Sequence, residues 1–175
     1  MNFLTILLRV RNENLFLESF VKHYLHEGVD EIHILDDNST EPYPEYVANH
    51  PKVFVYEATH FKSHHEKLID AQLMYDHMLR DKTKWFMFVD ADEFITTRRN
   101  PNKTIREELE TTFKDADLIK IPWVNFTANG RDKNPEKVLI DTNWRWNHDK
   151  KHPHSEEFLK VWKHRDCKYE KIEVK

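Results

Sequence analysis

The segment Phe88-Val89-Asp90-Ala91-Asp92-Glu93-Phe94 sets two carboxylates two residues apart at the end of an apolar run, with a third acid directly after them. Hard divalent cations such as Mg²⁺ and Mn²⁺ take oxygen ligands, commonly one or two protein carboxylates together with substrate phosphates. Three acids in four residues also repel one another, and a bound cation relieves that repulsion. The competing reading is a solvated acidic turn after a strand. The apolar strand before the acids and Phe94 behind them weigh toward a cation. Two more polar clusters follow apolar runs: Arg9, Arg11, Asn12 and Glu13 after Phe3–Val10, and Asp36, Asp37 and Asn38 after Glu31–Leu35. Ligands of open α/β sheets bind outside the C-terminal ends of the strands. Three such clusters at one edge of one sheet make a constellation that none makes alone.

The elements that must position these residues are readable from periodicity. Phe3–Val10 is a short apolar run bounded by charge, which predicts a buried strand. Leu17, Phe20, Val21, Tyr24 and Leu25 recur at three-and-four spacing, which predicts a helix with Asn12 or Asn14 as N-cap. Gly28 stands where a left-handed residue ends that helix. Glu31–Leu35 and Val53–Tyr56 are the next predicted strands. A second helix is expected over His64–Arg80, with Leu68, Ala71, Gln72, Tyr75, Met78 and Leu79 on one side. Trp85–Val89 reads as a strand buried on both faces. Thr104-Ile105-Arg106-Glu107 has capping-box form and opens a helix to Phe113, followed by a strand over Leu118–Val124. Alternating strands and helices predict an α/β fold with a mostly parallel sheet. Beyond Gly130 the pattern weakens to three short candidate strands, Val138–Ile140, Trp144–Trp146 and Phe158–Trp162, with no sign of a second domain.

Composition removes several classes of function. The chain has 175 residues, a formal net charge of -4 and only 2 glycines. The mild acidity argues against a general nucleic-acid binder. An average chain of this length holds about 12 glycines, and the glycine-rich phosphate loops GxGxxG and GxxxxGK[ST] are both missing. The single cysteine, Cys167, makes neither an internal disulfide nor a paired-cysteine zinc site. No apolar run approaches the ~20 residues of a membrane span, and no signal-peptide pattern opens the chain. Sequons at Asn38, Asn102 and Asn125 then read as chance matches in a cytoplasmic protein.

The order of motifs resembles a known family. Arg11-Asn12-Glu13 with Glu18, Gly28-Val29-Asp30, Asp36-Asp37-Asn38-Ser39, Gln72 with Tyr75, the Asp90-Ala91-Asp92 segment, and Trp123-Val124-Asn125-Phe126 before Gly130 follow one another as in GT-A glycosyltransferases of the family-2-like and family-92-like groups. Those groups include enzymes of large DNA viruses, and the expected location is the cytoplasm, that of the host if the chain is viral. The resemblance covers residues 3 to 130. It implies a single GT-A, Rossmann-like domain, with residues 1–130 binding the nucleotide sugar and 131–175 serving the acceptor side. It also implies a hexosyl or deoxyhexosyl transfer from a nucleotide-sugar donor, with UDP expected, to a carbohydrate acceptor, aided by Mn²⁺ or Mg²⁺.

Site roles implied by the resemblance fall on named positions. Leu8, Arg9, Arg11 and Glu13 would line the nucleobase and ribose, and Asp36 or Asp37 would accept a hydrogen bond from the base. Asp90 and Ala91 would approach the ribose or sugar, Asp92 with Asp90 would hold the metal, and Lys67 would approach a phosphate or the donor sugar. A late histidine, His154, is the candidate further ligand. An inverting reaction needs a base for the acceptor hydroxyl; Asp132 is the first choice, with Asp141, Glu156 and Glu157 as rivals. Trp123, Phe126, Trp144 and Trp146 are either a sugar-stacking wall or core. The alternatives to a transferase are a DxD-type nucleotidyltransferase or phosphohydrolase, and a non-catalytic carbohydrate-binding module.

Overall fold

The computed structural model describes residues 1–58, 71–97 and 100–121, together with the backbone of three strand segments at 126–127, 144–145 and 158–163. At its centre is strand β1 (Asn2–Val10). It pairs in parallel with β2 (Glu31–Asp36) on one side and β4 (Thr83–Phe88) on the other, and β2 pairs in parallel with β3 (Val53–Glu57). The sheet continues beyond β4 through β8 (Phe158–Lys163) to β5 (Leu118–Ile121), in the order β3-β2-β1-β4-β8-β5. A two-stranded piece, β6 (Phe126–Thr127) with β7 (Trp144–Arg145), stands apart from it. The expected α/β class with a mostly parallel sheet is what forms.

Alternation along β1 explains why both sheet faces are covered. Leu4, Ile6, Leu8 and Val10 face helix α1 (Asn14–His26), joined by Ile32, Ile34, Trp85 and Met87 from the neighbouring strands. Leu7 faces the other way and meets Leu35, Phe86, Ala71, Met74, Tyr75 and Leu79. The helix stripe read from the sequence is the buried stripe of α1, with Leu17, Phe20, Val21 and Tyr24 all inaccessible to solvent. Gly28 ends that helix at φ +89, and a Cβ there would lie 2.6 Å from the Cβ of Arg106, so geometry and space both require glycine. Arg106 belongs to α3 (Ile105–Glu110), which opens on the expected capping box of Thr104 and Glu107. Its guanidinium reaches Asp30 at 2.8 Å and Gly28 O at 3.1 Å, tying α3 to the start of β2.

Several expectations need correction. Neither Asn12 nor Asn14 caps α1; Glu13 occupies the cap position with no side-chain hydrogen bond, and both asparagines bond instead to the turn after β2. Helix α3 stops at Glu110 rather than Phe113. The Thr111 hydroxyl donates back to Glu107 O at 2.6 Å, and the Phe113 N–H reaches five residues back to Glu108 O, which breaks the four-residue repeat. Of the expected helix over 64–80, residues 64–70 lie outside the described residues. Residues 71–74 lead into a π-helical turn, Tyr75–Leu79. Its extra residue rotates the stripe, so Met78 is exposed while Met74 and Leu79 are buried. Strand β8 is the largest surprise: it enters the main sheet antiparallel to both β4 and β5. The small helix α2 (Glu45–Ala48) follows Pro44 and buries only Val47. Val138–Ile140 lies outside the described residues.

Candidate functional site

Parallel registration brings the three polar clusters to one edge. Leu7 pairs with Phe88 and Val10 with Asp36, so β1, β2 and β4 all terminate on the same side of the sheet. The order β2-β1-β4 also makes the β1/β4 boundary the point where successive connections diverge, which is where open α/β sheets leave a crevice.

On the β2 flank, charge is matched inside the protein. Arg9 Nη2 lies 2.8 Å from Asp37 Oδ2, with the two side chains 12% and 10% exposed. The Asp37 N–H donates to Val10 O at 2.8 Å, which continues the β1–β2 ladder one step past the strands. Asp36 Oδ1 accepts the Ser39 N–H at 2.8 Å, an Asx-type turn. Asn12 and Asn38 sit at φ 57 and φ 55, the left-handed region that asparagine tolerates. Asn12 then locks the two turns together: its N–H donates to Ser39 Oγ at 3.1 Å and its Oδ1 accepts the Thr40 N–H at 2.8 Å. Burial and the neighbouring Asp36 carboxylate push the Tyr43 phenol well above its ordinary range.

On the β4 flank, the acids stand in the open. Asp90 and Asp92 are exposed, while Ala91 between them is buried in the core. The turn is closed reciprocally: the Asp90 N–H donates to Glu93 Oε2 and the Glu93 N–H to Asp90 O, both at 3.0 Å. Helix α1 holds it from behind. The Tyr24 hydroxyl donates to Glu93 O at 2.9 Å and accepts the Ile95 N–H at 3.1 Å, while His23 Nε2 donates to Ile95 O at 2.8 Å. Glu13 joins this flank from the start of α1. Burial first, then the charges of Asp92 and Asp90, raise its carboxyl above the ordinary value. Three carboxylates from two strand ends therefore share one electrostatic neighbourhood.

Oxygen donors alone suit Mg²⁺ or Mn²⁺. Among the described residues, however, no three His, Cys, Asp or Glu side chains converge closely enough to enclose an ion. The set fits a cation held by one or two carboxylates and completed by a ligand's phosphate oxygens, not a closed protein cage.

Of the residues singled out from sequence, Arg9, Asp36 and Asp37 gather on one flank, and Glu13, Asp90 and Asp92 on the other. Arg11 is exposed at the same edge. Leu8 and Ala91 are core side chains, so only their backbone can face a ligand. Lys67, Asp132, His154 and the rival acids Asp141, Glu156 and Glu157 lie outside the described residues, as do Trp123 and Trp146. Nothing is described of the side chains of Phe126 and Trp144. Sequence reasoning missed the hydroxyls of Tyr24 and Tyr43. A tyrosine within a buried helix stripe was the available signal, because its hydroxyl needs a partner indoors.

A family model described as Glycosyltransferase family 92 matches residues 12–165, so the match runs on past residue 130 into the C-terminal part. No curated protein matches the chain. Among solved structures, that of 4-diphosphocytidyl-2C-methyl-D-erythritol synthase is similar at 10% identity and a TM-score of 0.48, over 93% of this chain and 76% of that one. No described helix is long and apolar enough to cross a membrane.

Proposed function

The chain belongs to glycosyltransferase family 92, and from that premise we propose that it moves a sugar from a UDP-linked donor to a carbohydrate acceptor, with inversion and with a Mn²⁺ or Mg²⁺ ion at Asp90 and Asp92. Membership favours glycosyl transfer over the nucleotidyltransferase, phosphohydrolase and non-catalytic readings. The observation that carries the cation is the placement of exposed Asp90 and Asp92 at the C-terminal end of β4, beside the β1/β4 boundary, with Glu13 following β1 on its other side. Like charges gathered where a diphosphate would lie are stabilised together by a shared cation.

In this reading the chain's residues divide the work. Asp36 or Asp37 accepts the imide N–H of the base at the β2 flank. Asp92, with Asp90, holds the cation, and Tyr24 and His23 fix the loop that presents them. When bound, the cation supplies Lewis-acid stabilisation of the departing nucleoside diphosphate. Asp132, or one of Asp141, Glu156 and Glu157, takes the proton from the acceptor hydroxyl. Lys67 meets a phosphate or the donor sugar, and His154 completes the ligand set. A thermal-shift screen of UDP, GDP and CDP sugars, each with and without Mn²⁺, tests the reading. It predicts stabilisation by UDP sugars that needs Mn²⁺; equal stabilisation with EDTA present overturns the cation, and a response to GDP or CDP sugars alone overturns the base.

A further inference from the structure

Resting on the reading that the acceptor is a carbohydrate, we propose that the chain carries a second, non-catalytic sugar-binding site on α2 and the turn into β3, where a ring of the acceptor glycan is held outside the catalytic crevice. Glu45, Tyr46, Asn49, His50 and Pro51 line an open hollow of about 420 Å³ there, toward the small end of the roughly 300–1,000 Å³ of small-ligand sites. Its position separates it from the residues of the crevice. His50 and Pro51 lead into the start of β3, whereas Asp36, Asp90 and Asp92 stand at or beyond the ends of β2 and β4 in the same parallel sheet.

The floor of the hollow is held from several sides. Tyr46 stays 37% exposed while Val47 beside it is fully buried and anchors the short helix in the core. Pro44 and Pro51 restrict the backbone on either side of it. The Tyr46 ring tilts against the His50 ring at a centroid separation of 5.2 Å, and Lys22 Nζ stands 4.9 Å from the Tyr46 ring centre. Lys22 does not line the hollow, so it backs the ring and leaves the hollow's side open. His50 Nδ1 accepts the Lys52 N–H at 3.2 Å, which assigns the proton of the neutral ring to Nε2 and leaves that N–H as a donor. Among the described residues, the Glu45 carboxylate, the Tyr46 hydroxyl and the Asn49 amide have no hydrogen-bond or ion-pair partner. An aromatic ring beside a carboxylate, an amide and an imidazole N–H complements a pyranose, whose C–H face is apolar and whose hydroxyls both donate and accept. Glu45 disfavours an anion, and Lys22 with its Glu18 partner already supplies the ring's cation. A sugar held here raises the effective concentration of the rest of its chain at the crevice.

Amide chemical-shift titrations test this, without nucleotide or metal, on the parent, Tyr46→Ala and Tyr46→Phe. The probes are the methyl glycosides of glucose, galactose, mannose, fucose and N-acetylglucosamine, with sorbitol as a polyol that has no ring. The proposal predicts weak, saturable binding of at least one glycoside, with shifts centred on residues 45–52 and no comparable response to sorbitol. Affinity should fall about tenfold in Tyr46→Ala and be retained in Tyr46→Phe. No binding by the parent, shifts only elsewhere, an equal response to sorbitol, or unchanged affinity in Tyr46→Ala overturns it. If Tyr46→Ala is destabilised, Asn49→Ala removes only an exposed amide; a partial loss of affinity there supports the site and its absence counts against it. Thermal shift with UDP sugars and Mn²⁺ on the same proteins separates this site from the proposed function. A parent without that response that still binds a glycoside at residues 45–52 refutes the proposed function and not this site. A parent that shows the response, with glycoside binding indifferent to Tyr46, refutes this site alone.

Discussion

On the β2 flank of β1, Arg9 and Asp37 meet at 2.8 Å, and Asp36 is engaged by the Ser39 N–H. On the β4 flank, Asp90 and Asp92 are exposed, and burial first, then their charges, raise the carboxyl of Glu13. The two flanks differ in what they hold ready. One has its charges paired and its turns bonded to each other. The other has a loop held by Tyr24 and Glu93, but carries neighbouring like charges with two of the carboxylates exposed. Under the proposed function, the nucleoside meets the paired flank and the diphosphate meets a cation on the other.

If the β2 flank is a self-contained charge pair, breaking it must destabilise the protein with no ligand present. Asp37→Ala leaves the Arg9 guanidinium buried without its carboxylate. Denaturant unfolding should then show a loss of about 3 kcal/mol, the scale for half of a nearly buried ion pair. A variant as stable as the parent would erase the distinction between the flanks.

A smaller effect is expected behind the acids. Tyr24→Phe removes one hydroxyl and leaves Glu93 O and the Ile95 N–H without it. The loss should be about 1–3 kcal/mol, and cation-dependent UDP affinity should fall with it, since the loop that presents Asp90 and Asp92 loosens. Unchanged affinity at reduced stability would mean that Tyr24 supports the fold and not the site.

The fold was readable wherever one local rule governed. The apolar run of β1, the α1 stripe, the Thr104–Glu107 capping box and the left-handed Gly28 each follow from a few neighbouring residues. What escaped depends on residues far apart in sequence. β8 fits between β4 and β5 only because both strands present open edges to it. The Asn12–Thr40 and Arg9–Asp37 contacts each span 28 residues, and no spacing rule encodes them. Of the site, the acids were legible as residue types at strand ends. Their division into a matched and an unmatched flank was not.

The smallest change is predicted where repulsion is relieved. Glu13 has a raised folded-state pKa, so its contribution to stability is full below the unfolded value near 4.5 and is lost as pH rises through the folded value. Glu13→Gln should therefore match the parent in acid and equal or slightly exceed it at neutral pH, by no more than about 0.5 kcal/mol. Melting curves from pH 4 to 8 check the sign. A clear destabilisation at pH 7 would mean that Glu13 is held by an attractive partner instead.

The central claim, that Asp92 with Asp90 holds a divalent cation jointly with the donor diphosphate, is tested most directly by electron paramagnetic resonance of Mn²⁺ titrated into the protein with and without UDP. The account predicts weak Mn²⁺ binding alone, markedly tighter binding once UDP is present, and loss of that UDP-dependent gain in a folded Asp92→Asn variant. Equal Mn²⁺ binding by parent and variant in the presence of UDP would contradict it.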